Sequence, residues 1–386
     1  MTKRKFIFDN LSDDFNYYLT KIIINYLDKS SLKELVKTNI LNKNSKYKND
    51  IKKIVNKKLL NYKCTKKIEP ICNKNEHVDP MISYVKFNHD CTKIIYYTCI
   101  PDEIIIYDLI KNEVINVLKY HKDEINSIDI NFDGSKLVSG SDDKKIYIWD
   151  INKGKCILTL SNNQQINSVQ FNNNSKKIVS ANNKNIYLWN INEDSDEYGK
   201  SILKLEGHTD YVMVVGFNYN STKIFSGSDD NTICIWNVDE NSNNYSKLLT
   251  KLIGHTEYIL SVDFNYNSTK LVSSSDDKTI RIWNINEKSK NYRKCILILE
   301  LQNHCFNSVK FNNDGTTILS GSDKGKLIIW NIDKKSENYG KCILDLEGHY
   351  IGYEINSVEF NNNNTKIVSG SEDYTIRIWD LIEYMK

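Results

Sequence analysis

GHTDYVMVVGFNYNSTKIFSGSDDNTICIWN, residues 207–237, is written again almost unchanged as GHTEYILSVDFNYNSTKLVSSSDDKTIRIWN at residues 254–284. Each copy carries its own strand pattern. Residues 212–217 form an apolar, β-branched run, residues 218–222 are rich in turn formers, and residues 223–226 are apolar again. After a polar turn at 228–231, residues 232–236 make a third run, and residues 247–252 supply a fourth before the next Gly-His. Four short strands joined by turns make one small antiparallel sheet, with two apolar faces that it cannot cover alone. The copies must therefore pack on one another. Arranged in a ring, every sheet is covered on both faces and only short edges remain, which is the β-propeller solution.

The unit can be counted along the chain. Trp149, Trp189, Trp236, Trp283, Trp330 and Trp379, all six tryptophans of the protein, close successive copies at spacings of 40, 47, 47, 47 and 49 residues. Tyr107 closes a seventh copy, 42 residues before Trp149. This period, with Gly-His near the start and Trp-Asp or Trp-Asn at the end, resembles the WD40-repeat family over residues 64–386. The expected fold is all-β, a seven-bladed propeller over residues 63–386 preceded by a short helical region at 1–62. After the last tryptophan, residues 380–386 are too few for a turn and a fourth strand. The resemblance implies that the missing outer strand comes from residues 64–72, ahead of the first blade.

The resemblance also implies a buried, hydrogen-bonded tetrad in each regular blade. Its members are His121, Ser139, Asp143 and Trp149 in blade two, and His208, Ser226, Asp230 and Trp236 in blade four. They are His255, Ser273, Asp277 and Trp283 in blade five, and His349, Ser369, Asp373 and Trp379 in blade seven. A histidine bridging aspartate and serine, with the serine bonded to the indole N–H, gives each buried donor an acceptor. Such sets mimic catalytic triads in composition, but recurrence in blade after blade and termination on an indole mark them as structural. No catalytic residue, cofactor or metal site is expected, because no metal-ligand cluster, phosphate loop or nucleophile motif stands apart from the repeat. Three blades deviate. Blade one has Tyr96 and Tyr97 in the serine region, Pro101 in the aspartate slot and His77 out of register. Blade three keeps Ser180 but has Asn182 and Asn183 in a shortened turn and no histidine, and blade six has Lys324 for the aspartate and a displaced His304. These three are expected to be the softer blades.

Composition agrees with a large packed core: 40% of residues are hydrophobic, three are prolines, and the mean hydropathy is −0.51. No apolar run approaches the ~20 residues that span a bilayer, and MTKRKFIFDN lacks the apolar region of a secretory signal. A cytoplasmic or nuclear protein, neither secreted nor membrane-bound, is the expectation. The nine cysteines contain no CxxC, and Cys156, Cys295 and Cys342 recur at one place in the fourth strand. Reduced core thiols are expected there rather than disulfides or metal ligands.

The net charge of +3 is uneven, since residues 1–62 hold 14 Lys and Arg against 6 Asp and Glu. Leu19, Ile22, Ile23, Tyr26 and Leu27 fall at helical spacings, and Ser30-Ser31 offers a cap before Leu32, so two or three short helices are expected. The stretch containing Ile23, Ile24, Tyr26, Leu27 and Leu32 resembles the middle of an F-box, the module that docks Skp1 in SCF ubiquitin ligases. It lacks the Leu-Pro opening of that family and its later cysteine and tryptophan positions. The basic stretch at 43–58 reads as a solvated helix face rather than a nucleic-acid site.

Function must come from an exposed face, since this fold fixes none. The resemblance implies partners on the top of the ring, six and four residues before the closing aromatic of each inner strand. Polar or small residues dominate these positions, as in Glu124 and Asn126, Gln165 and Asn167, Cys305 and Asn307, or Glu354 and Asn356. Blades four and five differ. There Tyr211, Met213, Tyr258 and Leu260 are expected to form one apolar, aromatic patch of the kind that anchors an interface. The residue before each turn aspartate, Asp142, Asp229, Asp276, Asp323 or Glu372, is expected to be exposed at the same rim and would favour a basic peptide. F-box propellers that read phosphorylated segments carry arginines at this rim, whereas none of the four arginines of this chain, Arg4, Arg281, Arg293 and Arg377, falls at these positions. Tyr198, Tyr245, Tyr292 and Tyr339, in an extension shared by blades three to six, are expected to pin that loop to the blade edge. The expectation is a monomeric, non-enzymatic scaffold that holds a protein or peptide. The alternative is the substrate-recognition subunit of an SCF-type ubiquitin ligase.

Overall fold

The computed structural model describes residues 61–70, 81–99 and 102–382. The chain divides into two units, residues 1–63 with 380–386, and Cys64–Trp379. The second unit is the propeller. The helical reading of the N-terminal region and its F-box-like residues lies outside the described residues, except that residues 61 and 62 already belong to a strand.

Seven four-stranded sheets follow one another in chain order. Blade four shows the pattern: β14 (Val212–Phe217), β15 (Lys223–Ser228), β16 (Thr232–Asn237) and β17 (Leu248–Ile253), each antiparallel to the next. Blade seven takes its fourth strand from the other end of the chain. Its order is β1 (Asn61–Ile68), β28 (Ile376–Ile382), β27 (Lys366–Ser371) and β26 (Ile355–Phe360), so the first strand clasps the last blade. Thr65 Oγ1 donates to the Ile378 carbonyl at 3.4 Å across this seam. The clasp lies three to four residues earlier than residues 64–72.

The two middle strands of a blade are buried on both faces, whereas the fourth alternates with solvent. Apolar side chains from neighbouring sheets interleave: Phe225, Ile233, Ile235 and Leu252 of blade four pack with Ile259, Val262, Phe264 and Trp283 of blade five. Burying each such side chain contributes roughly 1.5–3 kcal/mol, and the ring repeats this layer at every junction. Close approach of sheets requires a missing side chain at one place. A Cβ on Gly227 would meet Ile259 Cγ2 at 2.5 Å, and one on Gly140 would meet Ile166 Cγ2 at 2.5 Å. The Ser-Gly-Ser motif is thus a seat for the inner strand of the next blade.

The cysteines depart from expectation. Among those described, Cys234 is buried, and burial pushes its thiol up to about 12. Cys156 and Cys295 are half-buried and Cys342 is exposed, because the fourth strand is the outer edge of the blade and not its core. Each lies beside the bulge opposite its tryptophan and directs Sγ to the carbonyl two residues on, at 3.4 to 3.5 Å. Cys64, Cys91, Cys156, Cys234, Cys295, Cys305 and Cys342 are free thiols.

Candidate functional site

In blade four, His208 Nδ1 lies 2.9 Å from Asp230 Oδ2, and its Nε2 lies 2.7 Å from Ser226 Oγ. Ser226 Oγ accepts from Trp236 Nε1 at 3.0 Å. Blades two, five and seven repeat the arrangement, with His–Asp distances of 2.9, 2.7 and 2.8 Å. With Nδ1–H directed at the carboxylate, Nε2 accepts the serine O–H, and every polar atom of the chain is used. Burial pushes the pKa of His208, His255 and His349 below the histidine range, so these rings are neutral at pH 7. Burial opposes the charge on Asp230, Asp277 and Asp373, but bonds from histidine, threonine hydroxyl and backbone N–H outweigh it and hold them below the usual carboxylate range. Ser139, Ser226, Ser273 and Ser369 are fully buried, so none presents its hydroxyl to a substrate. The tetrads tie the turns at the top of these four blades to their third strands.

Blade three replaces the histidine path with Asn182: Trp189 Nε1 donates to Ser180 Oγ at 2.8 Å, and Ser180 donates to Asn182 Oδ1 at 2.6 Å. Asn182 Nδ2 is left buried without a partner. In blade six, His304 reaches Ser322 at 3.3 Å instead of Ser320, and Ser320 turns to the Ile328 carbonyl at 3.5 Å. In blade one, Tyr96 fills the serine slot and is buried, and burial raises its phenol.

A second set of bonds, between blades, was hidden in the sequence. Asn126, Asn167 and Asn356, placed at the rim by repeat position, donate instead to the first carbonyl of the next inner strand, at Ile166 (3.1 Å), Val212 (3.0 Å) and Ile82 (3.3 Å). One residue further on, Ser127, Ser168, Ser261 and Ser308 accept from the backbone of Val169, Val215, Val309 and Val358 at 3.1 to 3.3 Å. Two residues beyond, Asp129, Gln170, Asp263 and Glu359 accept from Phe171, Phe217, Phe311 and Phe87 at 2.6 to 3.1 Å. These side chains form a ladder that lashes inner strand to inner strand. Blade four offers none of it. Met213, Val214 and Gly216 stand at the three rungs, and the junction to blade five is instead filled by Phe225 against Phe264, with ring centroids 5.3 Å apart.

The strand that lacks rungs also presents part of the apolar rim, which continues onto blade five. Tyr211, Met213 and Tyr258 are 47%, 42% and 51% exposed, and Leu260 is half-buried. The carboxylates beside them are more engaged than the repeat suggested. Asp276 is exposed, but Asp142, Asp229, Asp323 and Glu372 are half-buried. Asp142 accepts from Asn126 at 2.6 Å and Gln165 at 3.0 Å, and Asp323 accepts from the Cys305 N–H at 3.1 Å. Burial, followed by neighbouring acids, pushes Asp229 and Glu372 up from their ordinary ranges; the neighbours are Asp210 and Asp230 for the first and Glu354 for the second. Burial, then Asp276, pushes the Cys305 thiol up to about 11. The described arginines face other tasks: Arg281 leans on Thr279 and Asp277, and Arg293 donates to the Leu249 carbonyl. No group of three or more His, Cys, Asp or Glu is placed to hold a metal among the described residues.

The extension loops are built locally. Asn190, Asn237, Asn284 and Asn331 each bond the serine five residues on, at 2.7 to 3.2 Å, and the half-buried Tyr198, Tyr245, Tyr292 and Tyr339 close the turn through their N–H groups. Lys136, Lys177 and Lys223 reach Glu193, Glu240 and Glu287 of the next loop, although such exposed pairs add little stability.

Ring, tetrads and rim together define the class: a seven-bladed β-propeller of the kind that serves as a protein-interaction scaffold. The chain belongs to the WD40 family, "WD domain, G-beta repeat", whose model matches residues 112–150, 154–190, 199–237, 246–284, 293–331 and 340–380. Blade one, with its tyrosine-filled tetrad, is a seventh copy that the structure adds. Stretches of the chain are also similar to individual proteins. Over 67 residues it is 39% identical to "WD repeat-containing protein 89 homolog" of Dictyostelium discoideum, covering 17% of this chain and 19% of that one. Over 99 residues it is 31% identical to "Small ribosomal subunit protein RACK1" of Drosophila melanogaster, covering 25% of this chain and 31% of that one. Over 97 residues it is 32% identical to "Ribosome biogenesis protein BOP1 homolog" of Drosophila mojavensis, covering 25% of this chain and 12% of that one. Each match thus spans less than a third of the relative's length.

Proposed function

We propose that the chain is a non-enzymatic scaffold whose rim at blades four and five holds a protein segment combining basic side chains with an apolar anchor. The observation that carries this reading is the exposure of Tyr211, Met213 and Tyr258 beside carboxylates that crowd one another: Asp229, whose N–H donates to the Tyr211 carbonyl at 2.9 Å, is pushed up by burial and then by Asp210 and Asp230. A cation relieves that crowding, and the tyrosine rings supply flat apolar area that loses little entropy on binding. Since the described arginines are turned elsewhere, the segment needs no phosphate. The test is titration of the full chain with lysine- and arginine-rich peptides that carry or lack a leucine or aromatic residue. Tyr211→Ala combined with Tyr258→Ala is expected to weaken the best peptide by about tenfold or more, roughly 1.4 kcal/mol, with the fold intact. Undiminished binding, or binding that requires phosphoserine, would contradict the reading.

A second reading rests on the F-box-like stretch at residues 23–32, which would make the propeller the substrate reader of a ubiquitin ligase. Skp1 retained by the full chain and lost with Leu27→Asp would favour it; no retention would remove it.

A further inference from the structure

Every inner strand ends in an apolar residue, an asparagine and then a residue at the mouth of the central channel, at the end of the ring opposite the acidic rim. In blades one, two, four and five that residue is aromatic: His89, Phe132, Tyr219 and Tyr266. In blades three, six and seven it is Asn173, Asn313 or Asn362. The seven line one cavity of about 670 Å³. His89 packs with Phe132, ring centroids 4.9 Å apart, and Tyr219 with Tyr266, 4.2 Å apart, yet all four rings remain exposed. Exposed aromatic rings gathered on one face are the composition of an interface.

The extension loops hang at the same end. The Ile191, Val238 and Ile285 N–H groups that lead into them donate to carbonyls of the turns beside the mouth, at Lys176, Thr222 and Thr269, over 2.8 to 2.9 Å. These loops share one build but not one charge. Blade three carries Glu193, Asp194, Asp196 and Glu197 against Lys200, whereas blade five carries Lys288, Lys290, Arg293 and Lys294 against Glu287. Blade four lies between them, with Asp239, Glu240 and Lys247 set among asparagines. Glu193 and Glu287 are held by a lysine of the preceding blade, and Arg293 by the Leu249 carbonyl. Asp194, Asp196 and Glu197 on one loop, and Lys288, Lys290 and Lys294 on the other, are exposed and make no ion pair among the described residues.

Bulk and charge select the same partner. A two-fold axis lying in this face and running through one blade lays that blade on itself in a second copy and exchanges the blades on either side. Through blade four, it lays three on five, two on six and one on seven. Every mouth aromatic off the axis then meets an asparagine: Tyr266 meets Asn173, Phe132 meets Asn313, and His89 meets Asn362. The same axis sets the acidic loop of blade three on the basic loop of blade five, twice over. Among the seven axes through a blade, the one through blade two also matches each aromatic with an asparagine. It lays the basic loop of blade five on that of blade six, which carries Lys334, Lys335 and Lys341, and like charges there oppose it. We infer that two copies of this chain close a dimer through this face, on an axis through blade four, and leave the Tyr211 and Tyr258 rim open on both. Exposed ion pairs contribute little each, so the rings supply the affinity and the loops fix the register.

The experiment is sedimentation velocity on the full chain from about 1 to 100 µM, where a dimer is expected to grow in with concentration and association to stop there. Two reversals locate the contact. Lys288→Glu with Lys290→Glu makes both loops acidic, and Asp194→Lys with Asp196→Lys makes both basic. Each variant alone is expected to self-associate about tenfold more weakly or worse, with folding checked by circular dichroism. Mixed in equal amounts, the two are expected to pair as tightly as the natural chain, because each supplies the charge the other has lost at both contacts. Tyr219→Arg, which sets like charges on each other across the axis, is expected to weaken the dimer as well. A monomer at every concentration overturns the inference, as does association that continues past the dimer. So does a dimer that survives either reversal or folded Tyr219→Arg, or a mixture of the two reversals that stays monomeric. A monomeric chain that binds heparin through Lys288 and Lys290 overturns it in favour of a polyanion.

Discussion

The junction between blades three and four and the junction between blades four and five use the same positions of the repeat with opposite chemistry. At the first, Asn167, Ser168 and Gln170 of β10 (Ile166–Phe171) each bond backbone of β14. At the second, β14 offers Met213, Val214 and Gly216 to β18 (Ile259–Phe264), and the space is taken by Phe225. Inner strands can thus be held by buried hydrogen bonds or by aromatic packing, and the choice decides what their ends are free to do. A rung asparagine is turned inward to its neighbour. A rung methionine is not, and blade four shows apolar side chains at both ends of its inner strand, Tyr211 and Met213 at the rim and Tyr219 at the channel mouth.

The comparison can be broken most severely at its polar side. Ser168→Ala with Gln170→Leu removes the acceptors of the Val215 and Phe217 N–H groups, and an unpaired buried group costs about 1–3 kcal/mol, so about 2–6 kcal/mol is expected in urea denaturation. Gly216→Gln sharpens the aromatic side. A Cβ there meets the Phe225 ring at 2.5 Å and Gln170 Oε1 at 2.7 Å, so the single variant is expected to lose about 1–3 kcal/mol, while Phe225→Val, the residue found at Val138, Val179, Val272 and Val368, relieves the contact with the ring.

Acid should loosen the tetrad-bearing blades before the others. Because the folded pKa of His208, His255 and His349 is lowered, the unfolded chain takes up protons below about pH 6.5 that the folded chain refuses, and stability declines from there. The depressed aspartates add a second decline below about pH 4, where unfolded carboxylates protonate first. Thermal melts from pH 7 to 3 should show both, and His208→Gln should make the first slope shallower. The smallest effect is expected for Met213→Asn, within about 0.5 kcal/mol in the same denaturation assay, because the residue is largely exposed.

The ring, its number of blades and the clasp were legible because the Gly-His to Trp period repeats a whole structural unit. The His-Ser-Asp-Trp spacing was legible for the same reason. The inter-blade ladder was not read, although INSIDI, INSVQF and INSVEF announce it: a polar pair inside an apolar strand, at one register in several copies, has to be satisfied by a neighbour. Repeat position alone placed Asn126 and Asn167 at a binding rim because it reports where a residue starts and not where its side chain turns. The fourth-strand cysteines were misplaced by the same limit, since recurrence signals equivalence and says nothing of depth. The channel mouth escaped because its residues differ in kind, from His89 to Asn362, and share a place that emerges once seven strands converge.

The most direct test of this account grafts the polar ladder onto blade four, combining Met213→Asn, Val214→Ser, Gly216→Gln and Phe225→Val in the full chain. Melting temperature and titration with the best basic, apolar-anchored peptide are then read on one sample. The account predicts a folded protein, at least as stable as the natural chain, that has lost about tenfold or more in peptide affinity. A folded variant that binds the peptide as tightly as before would contradict it.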